Sequence, residues 1–208
     1  MKLKNLDINY RDSITSTVKT LKNASSAILD NHTFDLSKTD ISEAILERLK
    51  TYYETQQEIK QFLNKRYQTP GADFLVETVT FFIQLYLQNQ GGQLEAHSER
   101  QIRPKRGSIR PDISIWEENK VKAIVECKTQ LGWNRHNWEN DFEKREKKLK
   151  KEFPNAEAFL LVMTGRNWGG FGDNAKLGEK YFCLLDNIWP TDYKEIGQLM
   201  TPVEQLIK

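Results

Sequence analysis

Three side chains in the stretch RPDISIWEENKVKAIVECKTQ, residues 110 to 130, stand apart from their neighbours. Asp112, Glu126 and Lys128 sit among Ile, Val, Ala and Cys. Charged groups inside a sheet are costly unless something pairs with them. The stretch reads as a hairpin. Strand periodicity then puts Glu126 and Lys128 on one face and Ala123, Val125 and Cys127 on the other. If Ile113 and Ile115 join Ala123 and Val125 in a single core layer, Asp112 falls on the face of Glu126 and Lys128. The opposite parity, given by a two-residue turn at Glu118-Asn119, would scatter apolar residues over both faces.

Two adjacent carboxylates repel unless a cation lies between them. Hard oxygen donors suit Mg²⁺, which keeps several waters and accepts phosphate oxygens, and Mn²⁺ is expected to substitute. A lysine beside them can hold a water or meet negative charge developing on phosphorus. The chemistry indicated is phosphodiester hydrolysis, in which a protein mostly positions and neutralises.

The elements that must position this group follow from the change of period along the chain. Residues 8–30 are weakly amphipathic. A stronger helix is expected from about Ile41 to Lys65, opened by Asp40 with Glu43 three positions on. A third follows Thr69-Pro70-Gly71 and runs to about Gln88, closed by Asn89-Gln90-Gly91-Gly92. The second half reads as strands at 93–102, 109–116, 121–129, 156–163 and 181–185. A charged helix is expected over 138–153, and short helical turns after Thr191. Helices followed by three strands, a helix and two strands give an α/β core with an N-terminal helical extension, divided near residue 68.

Pro111-Asp112, followed after thirteen residues by Glu126-Cys127-Lys128, resembles the signature of the PD-(D/E)XK, or restriction-endonuclease-like, nucleases. The likeness covers roughly residues 71 to 185, and the first 65 residues match nothing in that pattern. It implies a restriction-endonuclease-like core, a mixed central sheet flanked by helices. It also implies a Mg²⁺-dependent endonuclease on double-stranded DNA, most like a type II restriction enzyme acting as a homodimer. Asp112, Glu126, Lys128, Glu77 and Gln130 would be its catalytic residues. Asp112, Glu126, Glu77 and the Cys127 backbone carbonyl would be its metal ligands. Glu77 enters because a glutamate on the preceding helix often assists in that family, and Gln130 because E-x-K-x-Q recurs there. A repair, junction-resolving or toxin nuclease on DNA or RNA stays open, as does a catalytically silent nucleic-acid-binding module.

Composition sets the bounds. With 208 residues, 38% hydrophobic and 29% charged, the chain is polar but able to bury a core. No apolar run is long enough to span a bilayer and the start is too polar for a signal peptide, so a cytoplasmic protein with no membrane partner is expected. Cys127 and Cys183 read as reduced core thiols, the three histidines form no zinc spacing with them, and no Walker A pattern occurs. Net charge is only +2, but RQIRPKRGSIR carries five cations and no acid. Arg103, Lys105, Arg106 and Arg110 are therefore candidate nucleic-acid contacts. Arg135 in WNRHNW and Arg166 and Asn167 in TGRNWGGFGDN are further candidates. The second basic run, KREKKLKK at 144–151, reads as a solvated helix face.

Overall fold

The structure, a computed structural model, describes residues 2–131, 136–165 and 169–208. The chain divides into two compact units, Met1–Phe34 and Asp35–Lys208. The first holds a short helix α1 (Leu3–Leu6) and a long one, α2 (Ile8–Asn31), which buries none of its residues. The division therefore falls about thirty residues earlier than the expected boundary near residue 68. The helix α3 (Asp40–Phe62) belongs to the second unit because it is anchored there: Ile41, Ile45, Leu46, Leu49 and Tyr53 are buried.

The start of α3 shows why a local reading of its cap falls short. Asp40 is the first helical residue, and Thr39 at the cap position binds the Glu43 carboxylate (2.8 Å), not a backbone N–H. The free amides of Ile41 and Ser42 donate instead to Glu204 Oε1, at 2.6 and 3.0 Å, from the far end of the chain. Ser42 Oγ donates to Glu204 Oε2 and accepts the Val203 N–H. A buried carboxylate from helix α6 (Val203–Ile207) thus does the capping.

Helix α4 (Ala72–Gln90) buries Leu75, Val79, Phe82 and Ile83 at helical spacing, and ends at Gly91 in the left-handed region (φ +63°). Five strands follow in one mixed sheet of order β1-β2-β3-β4-β5: β1 (Leu94–Ser98), β2 (Ile113–Glu117), β3 (Lys120–Lys128), β4 (Glu157–Thr164) and β5 (Tyr181–Leu185). The first three are antiparallel. After helix α5 (Trp138–Glu152) crosses over, β4 and β5 run parallel to β3. Short 3₁₀ turns and α6 close the chain.

Helix α5 lays Trp138, Phe142 and Leu149 on the sheet face made by Trp116, Val121, Ile124, Leu160, Val162 and Tyr181. The Trp138 and Phe142 rings meet Tyr181 edge-on at 4.8 and 5.5 Å. Helix α4 packs across β1 and β3 on the side of Val125 and Cys127. The sheet is therefore flanked by helices on both sides.

The hairpin resolves its parity with a device the sequence did not announce. Glu117 pairs with Lys120 across a two-residue turn at Glu118-Asn119, the turn that alone would impose the wrong parity. A β-bulge at Ile115/Trp116 then shifts the register, leaving Lys122 as the extra residue, so that Ile113 pairs with Val125 and Ile115 with Ala123. Val121 can thus join Trp116 and Ile124 beneath α5, while Val125 and Cys127 turn to the α4 side.

Candidate active site

Continuing the Ile113–Val125 register by one step sets Asp112 opposite Glu126. Asp112 precedes the first residue of β2, and its backbone is held by the end of β1. Its carbonyl accepts the Ser98 hydroxyl at 3.1 Å and the Glu99 N–H at 3.2 Å. Its side chain is held by β3: Oδ2 accepts the Cys127 N–H at 2.7 Å and lies 3.4 Å from Lys128 Nζ. A strand residue sends its N–H and C=O to the same edge, so the Cys127 carbonyl also points toward Asp112.

Glu126 is buried, and its Oε1 lies 2.6 Å from Arg145 Nε on α5. The contact is one of charge; the N–H is not aligned on the oxygen as a hydrogen bond. The Arg145 guanidinium also donates to the Arg110 carbonyl at 2.7 Å. One side chain on α5 thereby clamps the acid of β3 and the segment two residues before Asp112. Burial pushes the Glu126 carboxyl up to about 7; Arg145 and Lys128 pull it down and Asp112 pushes it up further. A pocket of about 230 Å³ opens in front of Glu126, walled by Leu131, Trp138, Phe142 and Leu160 and by the polar Lys128, Asp141 and Arg145. Burial likewise holds the Cys127 thiol well above its ordinary range, so it is an inert core group. Both cysteines are buried.

Asp112, Glu126 and Lys128 are thus brought together, with Arg145 added. Arg145 lies in the KREKKLKK run that reads as a solvated face. Its signal was its place three residues after Phe142 and four before Leu149, on the edge of the buried stripe of α5. Glu77 is not brought to this site. It is exposed on α4, one helical turn from Phe81, and its charge acts on Arg48 of α3, which stacks on Phe81 at 4.0 Å. Neither Glu77 nor Gln130 is among the charged and hydrogen-bonding groups that act on Glu126. Gln130 is half-buried, two residues past the end of β3.

The basic loop is only partly free. Arg103 and Lys105 both pair with Glu152, and Arg103 also stacks on Phe153 at 4.3 Å. Arg106 and Arg110 are exposed. The candidates Arg135, Arg166 and Asn167 lie outside the described residues.

Among the described residues no three His, Cys, Asp or Glu side chains converge as a metal cage. The oxygen donors that could hold a divalent cation are the Asp112 and Glu126 carboxylates and the Cys127 carbonyl. Such a set suits Mg²⁺, which needs few protein ligands. It is also short of positive charge: Glu126 stays hard to ionise although Arg145 and Lys128 both act on it. No helix among the described residues is long and apolar enough to cross a membrane. The chain matches no protein-family model, and no curated protein matches it.

Proposed function

We propose that this protein is a Mg²⁺-dependent endonuclease of the PD-(D/E)XK type that hydrolyses phosphodiester bonds in double-stranded DNA, nearest in kind to a type II restriction enzyme. The observation that carries the reading is the register that sets Asp112 opposite Glu126 with Lys128 Nζ 3.4 Å from Asp112 Oδ2. The mixed five-stranded sheet flanked by helices adds support, since such a core is what the resemblance implies.

Asp112, Glu126 and the Cys127 carbonyl would hold the metal, with Mn²⁺ able to replace Mg²⁺. When bound, the divalent ion supplies charge neutralisation for the phosphate under attack. Lys128 orients a water and faces the charge that builds on phosphorus. Arg145 favours the ionised form of Glu126 and holds β3 and the approach to Asp112 in fixed relation. The apolar wall of Trp138, Phe142 and Leu160 thins the water around these charges and strengthens them. A homodimer acting on both DNA strands belongs to the same proposal.

Cleavage and gel-shift assays on one duplex test it. The parent should cut with Mg²⁺ or Mn²⁺ and stop on chelation. Asp112→Ala should abolish cutting, and Lys128→Ala should slow it by about 10²–10³ while DNA is still bound. A parent that cuts no DNA or RNA with metal, or a Lys128→Ala variant cutting at the parental rate, overturns the assignment. The catalytically silent binding module would then stand.

A further inference from the structure

Beside the Glu126 pocket lies a second concavity, of about 330 Å³, between the 107–110 loop and α5. Asp141 and Arg145 line both, so the two are adjacent. Its walls bring Arg110, Lys144, Arg145 and Lys148 together against a single acid, Asp141. That acid is 3.3 Å from Lys144, and among the described residues no acid pairs with Arg110 or Lys148.

The KREKKLKK run explains how this imbalance arises. Lys147 meets Glu143 at 3.8 Å, and Lys150 meets Glu146 at 3.4 Å, each one helical turn back. Arg145 turns in to Glu126. Lys144 and Lys148, also one turn apart, face the groove. The helix therefore pairs Lys147 and Lys150 with its own acids and leaves Lys148 unpaired at the groove among the described residues.

We propose that this groove is a second phosphate subsite, holding the backbone phosphate of duplex DNA next to the one in the Glu126 pocket. The inference rests on the nuclease reading and extends it from the reacting phosphate to its neighbour. Loop and helix grip a backbone without reading bases, so the subsite contributes affinity and register but no sequence choice.

The test uses the whole 208-residue chain made inactive by Asp112→Asn, and follows binding of a labelled duplex by fluorescence anisotropy across a salt series. Adding Lys144→Ala and Lys148→Ala should make the slope of log K against log salt shallower by about 0.9, the share of the one phosphate contact that is lost. Lys147→Ala with Lys150→Ala, on the same helix, should leave it unchanged. Circular dichroism on every variant confirms that the helix persists. An unchanged slope in the groove variant, or an equal change in the control pair, overturns the subsite. Cleavage by the parent is scored separately. Cutting with an unchanged slope removes the subsite and keeps the nuclease; the expected slope change without any cutting does the reverse. No binding to DNA removes both.

Discussion

Glu126 is the residue on which the candidate site depends, and its environment has a cost that can be measured. Its carboxyl is raised from an ordinary value near 4.5 to about 7 by burial, with Arg145 and Lys128 only partly offsetting this. Between those two values the folded protein binds a proton that the unfolded chain has released. Metal-free stability should therefore fall as pH rises through this window, and stay level above it. A shift of this size corresponds to at most about 3 kcal/mol. Glu126→Gln removes the charge and keeps the shape. It should raise the denaturation midpoint at pH 8 and leave it nearly unchanged at pH 4.5. Equal effects at both values would show that Glu126 is not the group responsible. Adding Mg²⁺ to the parent at pH 8 should close part of the gap, because a cation favours the ionised carboxylate.

At the scale of elements, two long-range contacts decide how the sheet and its helices meet. One is the Glu204 cap on α3. Glu204→Ala would leave the amides of Ile41 and Ser42 and the Ser42 hydroxyl without their acceptor in a buried place. Each such loss costs about 1–3 kcal/mol, shared here over one site, so a destabilisation of about 2–4 kcal/mol is expected by urea unfolding. A loss below about 1 kcal/mol would mean that α3 finds another cap. The other is the seat of α5 on Tyr181. Phe142→Ala should cost about 3–5 kcal/mol, and it should also loosen Arg145, three residues on. The helix is thus both a core element and the carrier of the clamp.

For the whole molecule, the question is where the positive charge is free to act. The run from Arg100 to Arg110 looks like one basic patch, yet the fold spends much of it internally. Arg100 stacks on Trp116 at 3.9 Å, and Arg103 and Lys105 meet Glu152. Replacing Arg103, Lys105 and Arg106 together should thus lower the salt slope of DNA binding by about one contact, not three. A drop of three in the same anisotropy series would mean that the Glu152 pairs open on binding.

Much of the fold is legible in the sequence. The helix and strand periods located every strand and the helices over 8–31, 40–62, 72–90 and 138–152, with end shifts of a few residues except at the first two strands. The demand that Ile113, Ile115, Ala123 and Val125 share a layer placed Asp112 opposite Glu126. Those inferences need only local pattern and the twofold alternation of a strand. Other features depend on chain segments that are distant in sequence. The bulge that reconciles a two-residue turn with that layer follows from where Val121 and Trp116 find α5. The cap on α3 comes from a residue more than 160 positions away. Glu77 faces Arg48, and Arg145 faces Glu126, because of how α3, α4 and α5 pack. The sequence alone therefore determined which residues share a face. Tertiary structure decided which face meets which, because partner choice for a charge depends on distances through space that no spacing along the chain encodes.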